Sequence, residues 1–461
     1  MATVSSVERA LNDIVSLCKR RGFVFPSSEL YGGFAASWDY GPLGVELKNL
    51  IKRLWWDEMV TSRENVVGMD CAVTMNPRIW EASGHVESFH DPMVDCKTCG
   101  QRFRADNLNE EYCPKNPSKR VSECGGELTP ARNFNLMFKI HWGPTEEEDS
   151  ICYLRPETCQ PLFTNFRNIL TATRMRVPFG IAQIGKAFRN EITTKAFLFR
   201  QREFEQMEME FFCRPDEAQE WYERWREVRL NWHKSLGLNP AKLRTAPHPP
   251  DKLAHYAKAA LDIEYQFPMG WGEIEGVHNR GDWDLSRHAQ FSGKSLEYRD
   301  DRTNERFIPY CVETSAGLDR TFLALISDAY DQDMAPNDKG EMEKRDVLRF
   351  RPRVAPITVA VFPLSRKPDL EEIARKMEDD LRRVHNYRSM YDETGSIGKR
   401  YRRQDEVGTP LCITVDFDTL EDHAVTIRNR DTMQQIRVPM ETVATAVADQ
   451  IREMEHSFDR G

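Results

Sequence analysis

An antiparallel sheet with flanking helices, followed by a smaller C-terminal α/β domain, is the fold class that this 461-residue sequence predicts. Strand-like runs at 151–155, 181–189, 197–212 and 261–267 lie close enough in sequence to pair locally as hairpins, the connection antiparallel sheets use. Between them Asp216–Leu236 has helical periodicity, with Trp221, Trp225, Val228 and Trp232 on one stripe. After Arg353 the pattern changes to alternating strands and helices, as in a small α/β unit.

The chain opens with an amphipathic helix pattern, ATVSSVERALNDIVSLCKRRGF, whose Glu8 and Asp13 and lack of a continuous apolar run argue against a secretory signal or transit peptide. No run approaches the roughly 18 apolar residues of a membrane span, so the cytoplasm is the expected compartment and no membrane partner is expected. Up to about residue 95 there are two helix-like patterns and a glycine-rich turn, YGGFAASWDYGPLG. A polar, cysteine-bearing insertion follows at 96–124. In the helix at 216–236, Asp216 is placed to cap the N-terminus and the tryptophan stripe reads as core packing. The charged stretch Asp331–Arg353 reads as a linker. Beyond it come the strand ITVAVFPL, the amphipathic helix Asp369–Val384, the strands LCITVDFD and AVTIRNR, and a closing helix from about Glu441. The expected division is a main domain of 1–95 and 125–340, the insertion 96–124, and a C-terminal domain of 354–461.

A net charge of −9 excludes a surface coated in cations for nucleic acid, so any RNA contact must come from local basic patches. Seven of the eleven cysteines, at 18, 71, 152, 159, 213, 311 and 412, are scattered as reduced core thiols would be. Cys96-x-x-Cys99-Gly has zinc-knuckle spacing, and Cys113 and Cys124 complete a four-thiol set, although ten residues separate that second pair. Structural Zn2+ and four free thiols in an irregular insertion are the two readings. Lys399, Arg400, Arg402 and Arg403 flank Tyr401, which suits RNA phosphate and base contacts or a plain solvated face.

The densest chemistry lies in Gly185–Phe212, two aromatic-rich strands joined by a polar turn, with Arg189, Glu191, Arg200, Arg202 and Phe204 between the apolar positions. Guanidinium forks suit phosphates, an aromatic face suits a purine, and a hairpin can converge such groups on one ligand. The order Arg189-Asn190-Glu191, then Arg200 to Phe204, resembles motif 2 of the class II aminoacyl-tRNA synthetases. Tyr310–Ile326, a strand running through a glycine turn into an apolar helix with Arg320 in its first turn, resembles motif 3. The segments SELYGGFAASWDYGPLGVELK, NPRIWEASGHVESFHDP, FRAD, LRPETCQPLF, FEQMEMEFF and GWGEIEGVHNRGDWDL, in that order, narrow the likeness to the homodimeric glycyl-tRNA synthetases, from about residue 12 to the C-terminus.

The resemblance implies a site. Arg189 would hold the α-phosphate and substrate carboxylate, Arg200 and Arg320 the far phosphates, Phe204 the adenine, and Asn190 and Glu191 its surroundings. Glu273, with the backbone at Ile274, would lie by the phosphates and Mg2+. Glu157, Glu208, Glu313 and Ser315, with Arg104 as a further substrate contact, would hold glycine. It also implies ATP, glycine and tRNA(Gly) as partners, an anticodon-binding C-terminal domain and a homodimer, with the apolar helix Leu47–Val60 leading towards Pro77 as motif 1. The sequence departs from the family's usual pattern at Thr193-Thr194-Lys195 in the motif 2 loop, at Cys159 and Pro161, and at Thr314.

Overall fold

The computed structural model describes residues 6–109, 111–144, 147, 150–191, 197–254, 257–336 and 340–459. Seven strands form the central sheet: β1 (Val66–Gly68), β2 (Phe179–Phe188), β3 (Glu203–Cys213), β4 (Leu243–Pro247), β5 (Ala259–Phe267), β6 (Gly270–Gly281) and β7 (Tyr310–Gly317). Their spatial order is β4-β5-β6-β7-β3-β2-β1, antiparallel throughout except for β1 beside β2. The expected antiparallel sheet is therefore present, with one parallel edge strand.

Strand alternation sorts the side chains. Met207, Met209 and Phe211 of β3 and Val312 and Ala316 of β7 point to one face, where they share a core with three helices. These are α1 (Pro42–Trp56), through Leu47, Ile51 and Trp55; α2 (Ala218–Ser235), through Trp225 and Trp232; and α3 (Leu318–Ala329), through Phe322 and Ile326. The tryptophan stripe is core, as its spacing implied. The alternate residues of the same strands, Gln206, Glu208, Glu210, Glu313 and Ser315, are polar and face the other way.

Several elements differ from the sequence reading. Residues 197–199 form a 3-10 turn, and β3 begins at Glu203, because the loop must first turn back onto the sheet. The run at 151–155 becomes Ile151–Leu154, which pairs with Lys139–His141 and Thr74–Met75 in a separate small sheet. Asp216 does not cap α2: the cap position is Glu217, and Asp216 pairs with Arg214 at 3.3 Å. The presumed linker 331–353 contains a hairpin, Tyr330–Pro336 paired with Met342–Leu348. Arg345 ties that hairpin to the C-terminal domain through Asp405 at 3.2 Å, and its own ladder is bridged by Arg345 and Asp333.

The C-terminal domain carries β8 (Val359–Pro363), β9 (Ser389–Tyr391), β10 (Leu411–Val415), β11 (Ala424–Asn429) and β12 (Gln435–Pro439). The order is β9-β8-β10-β11-β12, parallel across the first three and antiparallel across the last. Helices α4 (Pro368–Arg383), α5 (Ile397–Val407) and α6 (Val443–Phe458) accompany it. Short strands 389–391 and 435–439 were not legible because each lies at a sheet edge with few apolar residues. Among the described residues no helix is long and apolar enough to cross a membrane.

Candidate active site

Register decides which polar groups meet. Glu208 lies opposite Ser315, Glu210 opposite Glu313, and His278 of β6 opposite Glu313, so these side chains share one face. On β6 a bulge changes the alternation: Ile263 pairs with Glu275 and Glu264 with Glu273, leaving Ile274 as the extra residue. The bulge sends Ile274 into the core and lets Glu273 reach the polar cleft. Glu275 points the opposite way, into a wholly buried cluster with Arg229 (2.6 Å) and His233 (2.7 Å) of α2.

One cleft is lined by Arg189, Glu191, Arg200, Phe204, Glu273, Ser315 and Arg320, bringing seven of the sequence-selected residues together. The Arg189 guanidinium rests on the Pro156 carbonyl through Nε at 3.0 Å and lies 5.3 Å from the rings of both Phe89 and Phe204. Arg320 donates to the Phe199 carbonyl (3.1 Å) and, through one nitrogen, to the Glu273 carbonyl and carboxylate (3.0 Å each). Partial burial opposes the charge on Glu273, but Arg320 outweighs it and holds the carboxyl below its usual range. Arg200 is half-exposed and 3.6 Å from Glu191. Among the described residues each cation keeps donors free for an anion. Asn190 and Ile274 are not among the side chains lining this cleft: the Asn190 N–H is used on the Leu136 carbonyl at 2.7 Å, and Ile274 offers only backbone. The loop residues Thr193, Thr194 and Lys195 lie outside the described residues.

Beside the cleft is an acid pocket, reached past Ser315 and Gln206, whose amide donates to the Ser315 hydroxyl at 3.2 Å. Buried Arg155 fixes its entrance by donating to the carbonyls of Lys186 and Cys71 at 2.7 Å each, which anchors the turn carrying Glu157. Gly185 is needed there, since a Cβ would stand 2.2 Å from the Arg155 guanidinium. Glu157 accepts from Cys159 Sγ (2.9 Å) and Gln160 (3.2 Å) and lies 3.3 Å from His85. Glu313 is held by His278 (2.5 Å) and Arg280 (2.6 Å), and Arg280 in turn by Asp284 (2.7 Å). Glu208 is met by hydroxyls and not by a cation: Thr158 donates to it, and Ser315 lies opposite it on β7.

Burial raises all these carboxyls, and their partners decide the outcome. Arg280 and His278 outweigh burial at Glu313, as His85 and Arg280 do at Glu157, so both are held below the ordinary carboxylate range. Glu208 has no such cation: burial, then the charges of Glu313 and Glu157, push it up to about 8. Glu210, deeper on the same strand, is pushed well up for the same reasons. The pocket thus has more acids than cations. Arg104 does not join them: it is committed to Asp91 (2.9 Å) and Asp106 (2.8 Å), nearer Glu191 than the acids. His85, His278, Arg280, Asp284 and Glu210 were missed in the sequence. His278 and Arg280 alternate along GVHNR opposite Glu313, but that signal needs the register to be read.

The cysteine insertion folds as a small unit around Val94, Cys96, Phe103 and Val121. All four of Cys96, Cys99, Cys113 and Cys124 are free thiols. The backbone N–H of Cys99 faces the Cys96 sulfur and lowers its pKa, and the two positive-φ glycines after the knuckles, Gly100 and Gly125, both at 72°, let the turns close. A Cβ at Gly126 would lie 2.8 Å from Cys96 Sγ and 3.4 Å from Cys124 Sγ, so the two halves converge. The donor types suit a four-thiolate metal site, although the four sulfurs do not all lie within 4.8 Å of one another.

In the C-terminal domain the basic run occupies α5 and is split by it. Arg400 is 2% exposed, its guanidinium spent on the carbonyls of Pro363, Leu364, Gly395 and Asp392, which removes it from the RNA-contact set. Arg403 is paired with Asp392 at 2.6 Å, and Arg402 with the Pro336 carbonyl at 2.9 Å. Lys399 stays exposed. With Arg402, Arg403, Arg21 and Arg428 it lines a cleft between α5 and the 330–348 hairpin.

Residues 138–329 match the class II tRNA synthetase core domain (G, H, P, S and T), and residues 358–450 the anticodon binding domain. The solved Giardia lamblia prolyl-tRNA synthetase in complex with prolyl-adenylate has the same fold: TM-score 0.70 at 16% identity, covering 98% of this chain and 81% of that one. Sheet, cleft and domain order therefore define a class II aminoacyl-tRNA synthetase with a C-terminal anticodon-binding domain. The glycine–tRNA ligase of Treponema denticola is 54% identical over 445 residues, 96% of this chain and 97% of that protein. That of Bifidobacterium longum is 53% identical over 457 residues, 96% of this chain and 93% of that protein. The chain belongs to the glycine–tRNA ligase family.

Proposed function

We propose that the cleft and the acid pocket together activate glycine with ATP, and that the product glycyl-adenylate is transferred to the 3′ end of tRNA(Gly). One observation carries this reading: the β3–β7 register sets the acid pocket and the arginine cleft on one continuous face. Arg189, between them, would hold the α-phosphate and the glycine carboxylate, while Arg200 and Arg320 hold the outer phosphates. Phe204 would stack on adenine, with Glu191 by its amine. Glu157, Glu208 and Glu313 would surround the ammonium, with Ser315 at the carboxylate side. No general base is needed, since an ionised carboxylate attacks phosphorus in line and pyrophosphate leaves; the ribose hydroxyl of tRNA then attacks the carbonyl and AMP leaves. Positioning and fixed cations supply the rate. Glu273 would hold Mg2+, whose charge offsets that of the phosphates.

The four cysteines would hold structural Zn2+, with no open position for catalysis. Lys399, with Arg402 and Arg403, would touch the tRNA backbone. The exposed side chains of Leu30, Tyr31 and Phe34 would be covered by a second copy in a homodimer. Eleven free cysteines suit the reducing cytoplasm. ATP–pyrophosphate exchange across a panel of amino acids tests the central reading: exchange with glycine alone supports it, and equal exchange with alanine overturns it. Elemental analysis tests zinc, and sedimentation tests the dimer.

A further inference from the structure

The acid pocket holds more than an ammonium requires. Cys159 Sγ and one carboxylate oxygen each of Glu208, Glu210 and Glu313 lie within 4.8 Å of one another. All four side chains are buried, at 1%, 2%, 0% and 4% exposure. A tetrahedral zinc site of mixed sulfur and oxygen places its ligand atoms roughly 3.3–3.8 Å apart, which falls inside that span. Glu210 supplies the second observation. Its Oε2 accepts the Cys311 thiol at 2.9 Å, but its Oε1 is fully buried with no hydrogen-bond partner among the described residues. A carboxylate oxygen left so is costly unless something positive meets it. Arg280 lowers the Glu210 carboxyl only from a distance and does not offset its burial, since its hydrogen bonds go to Asp284 and Glu313, and His278 is held by Glu313.

We propose that this pocket is also a site for a thiophilic divalent cation, with Zn2+ as the natural ion, bound by Cys159, Glu208, Glu210 and Glu313 in competition with the glycine ammonium. Binding would release to solvent the thiol proton of Cys159 and the protons that Glu208 and Glu210 hold near neutral pH, and the 2+ ion would then balance the carboxylates so exposed. The sulfur gives the site its preference for a soft ion over Mg2+. The proposal rests on the assignment of this pocket to glycine, so the two are tested separately.

Full-length enzyme, with its four-cysteine cluster intact, is titrated with Cd2+ while thiolate-to-cadmium absorption is recorded, and the signal of Cys159→Ala is subtracted. The expected result is a Cys159-dependent equivalent of metal that glycine with ATP displaces. In pyrophosphate exchange at buffered free Zn2+, the apparent KM for glycine rises with kcat unchanged, and Cys159→Ala weakens the zinc inhibition about tenfold or more. Cys159→Ser, which keeps a donor toward Glu157, serves if the alanine variant does not fold. No Cys159-dependent equivalent, or inhibition that glycine does not relieve, overturns the proposal. Glu157→Gln, read in buffer freed of Zn2+ by a chelator, tests the pocket assignment, because Glu157 touches Cys159 but is not itself in the cation set: an unchanged KM for glycine would overturn that assignment.

Discussion

Two charge-rich regions treat their charge in opposite ways. On the face shared by β3 and β7, Glu208 and Glu210 lie buried with no cation of their own, while Arg189 and Arg320 in the adjoining cleft rest mainly on backbone carbonyls. On α5, Arg400 is swallowed by four carbonyls, Arg403 is matched by Asp392, and Arg402 reaches Pro336 and Asp405. The first region is left unbalanced and so has work for a ligand; the second is mostly balanced by the chain itself. A cluster of charge in a sequence therefore says little until its internal partners are known.

The largest expected effect comes from unbalancing a set that the fold has closed. Glu275→Leu would leave Arg229 buried and unpaired and cost about 3–5 kcal/mol in urea denaturation. The same cluster gives a pH dependence. Burial keeps His233 below its ordinary pKa, and Arg229 and His233 outweigh burial to hold Glu275 below its own. Both groups therefore bind protons more readily in the unfolded chain. Their contribution is full above about pH 6.5 and is lost as the pH falls, first through His233 and then through Glu275. A denaturation midpoint that stays flat across that acid range would show the cluster is not closed.

Next in size is the unbalanced side. Arg320→Ala removes a fixed cation from the cleft, and a fall of about 10²–10³-fold in kcat for pyrophosphate exchange is expected. Glu208→Gln keeps the shape and removes one charge facing the ammonium. We expect KM for glycine to rise on the order of 10–100-fold, as losing a charged hydrogen bond of about 1.5–3 kcal/mol implies. If KM is unchanged, the acids are structural and the contrast with α5 fails.

The smallest effects sharpen the comparison within α5. Lys399→Ala should reduce the salt dependence of tRNA binding by roughly one phosphate contact and leave melting unchanged. Arg400→Ala should do the reverse, lowering stability through four orphaned carbonyls. Equal losses of tRNA affinity in both would mean the helix is not split in this way.

Much of the molecule was legible. Apolar patterning placed β2 and β5 within a few residues and the body of β3 but not its start, and the tryptophan stripe of α2 is core because helical spacing can only bury one face. The arginines and acids of the site were identifiable by type and order along the chain. Their arrangement was not. Which acids are compensated depends on His85, His278 and Arg280, each distant in sequence from the glutamate it serves. The fate of Arg400 depends on carbonyls up to 37 residues away, and the hairpin at 330–348 was hidden because Asp331, Asp333 and the run Glu343 to Asp346 break any apolar alternation in its strands.

Local alternation and residue type, which depend only on neighbours a few positions apart, are what the sequence determined by itself: strands, helices, candidate cations and candidate acids. Tertiary structure decided the β3–β7 register, the bulge that turns Glu273 toward the cleft and Glu275 toward Arg229, and the partner each charge receives. Those depend on long-range pairing, where a shift of one residue would move every side chain to the opposite face.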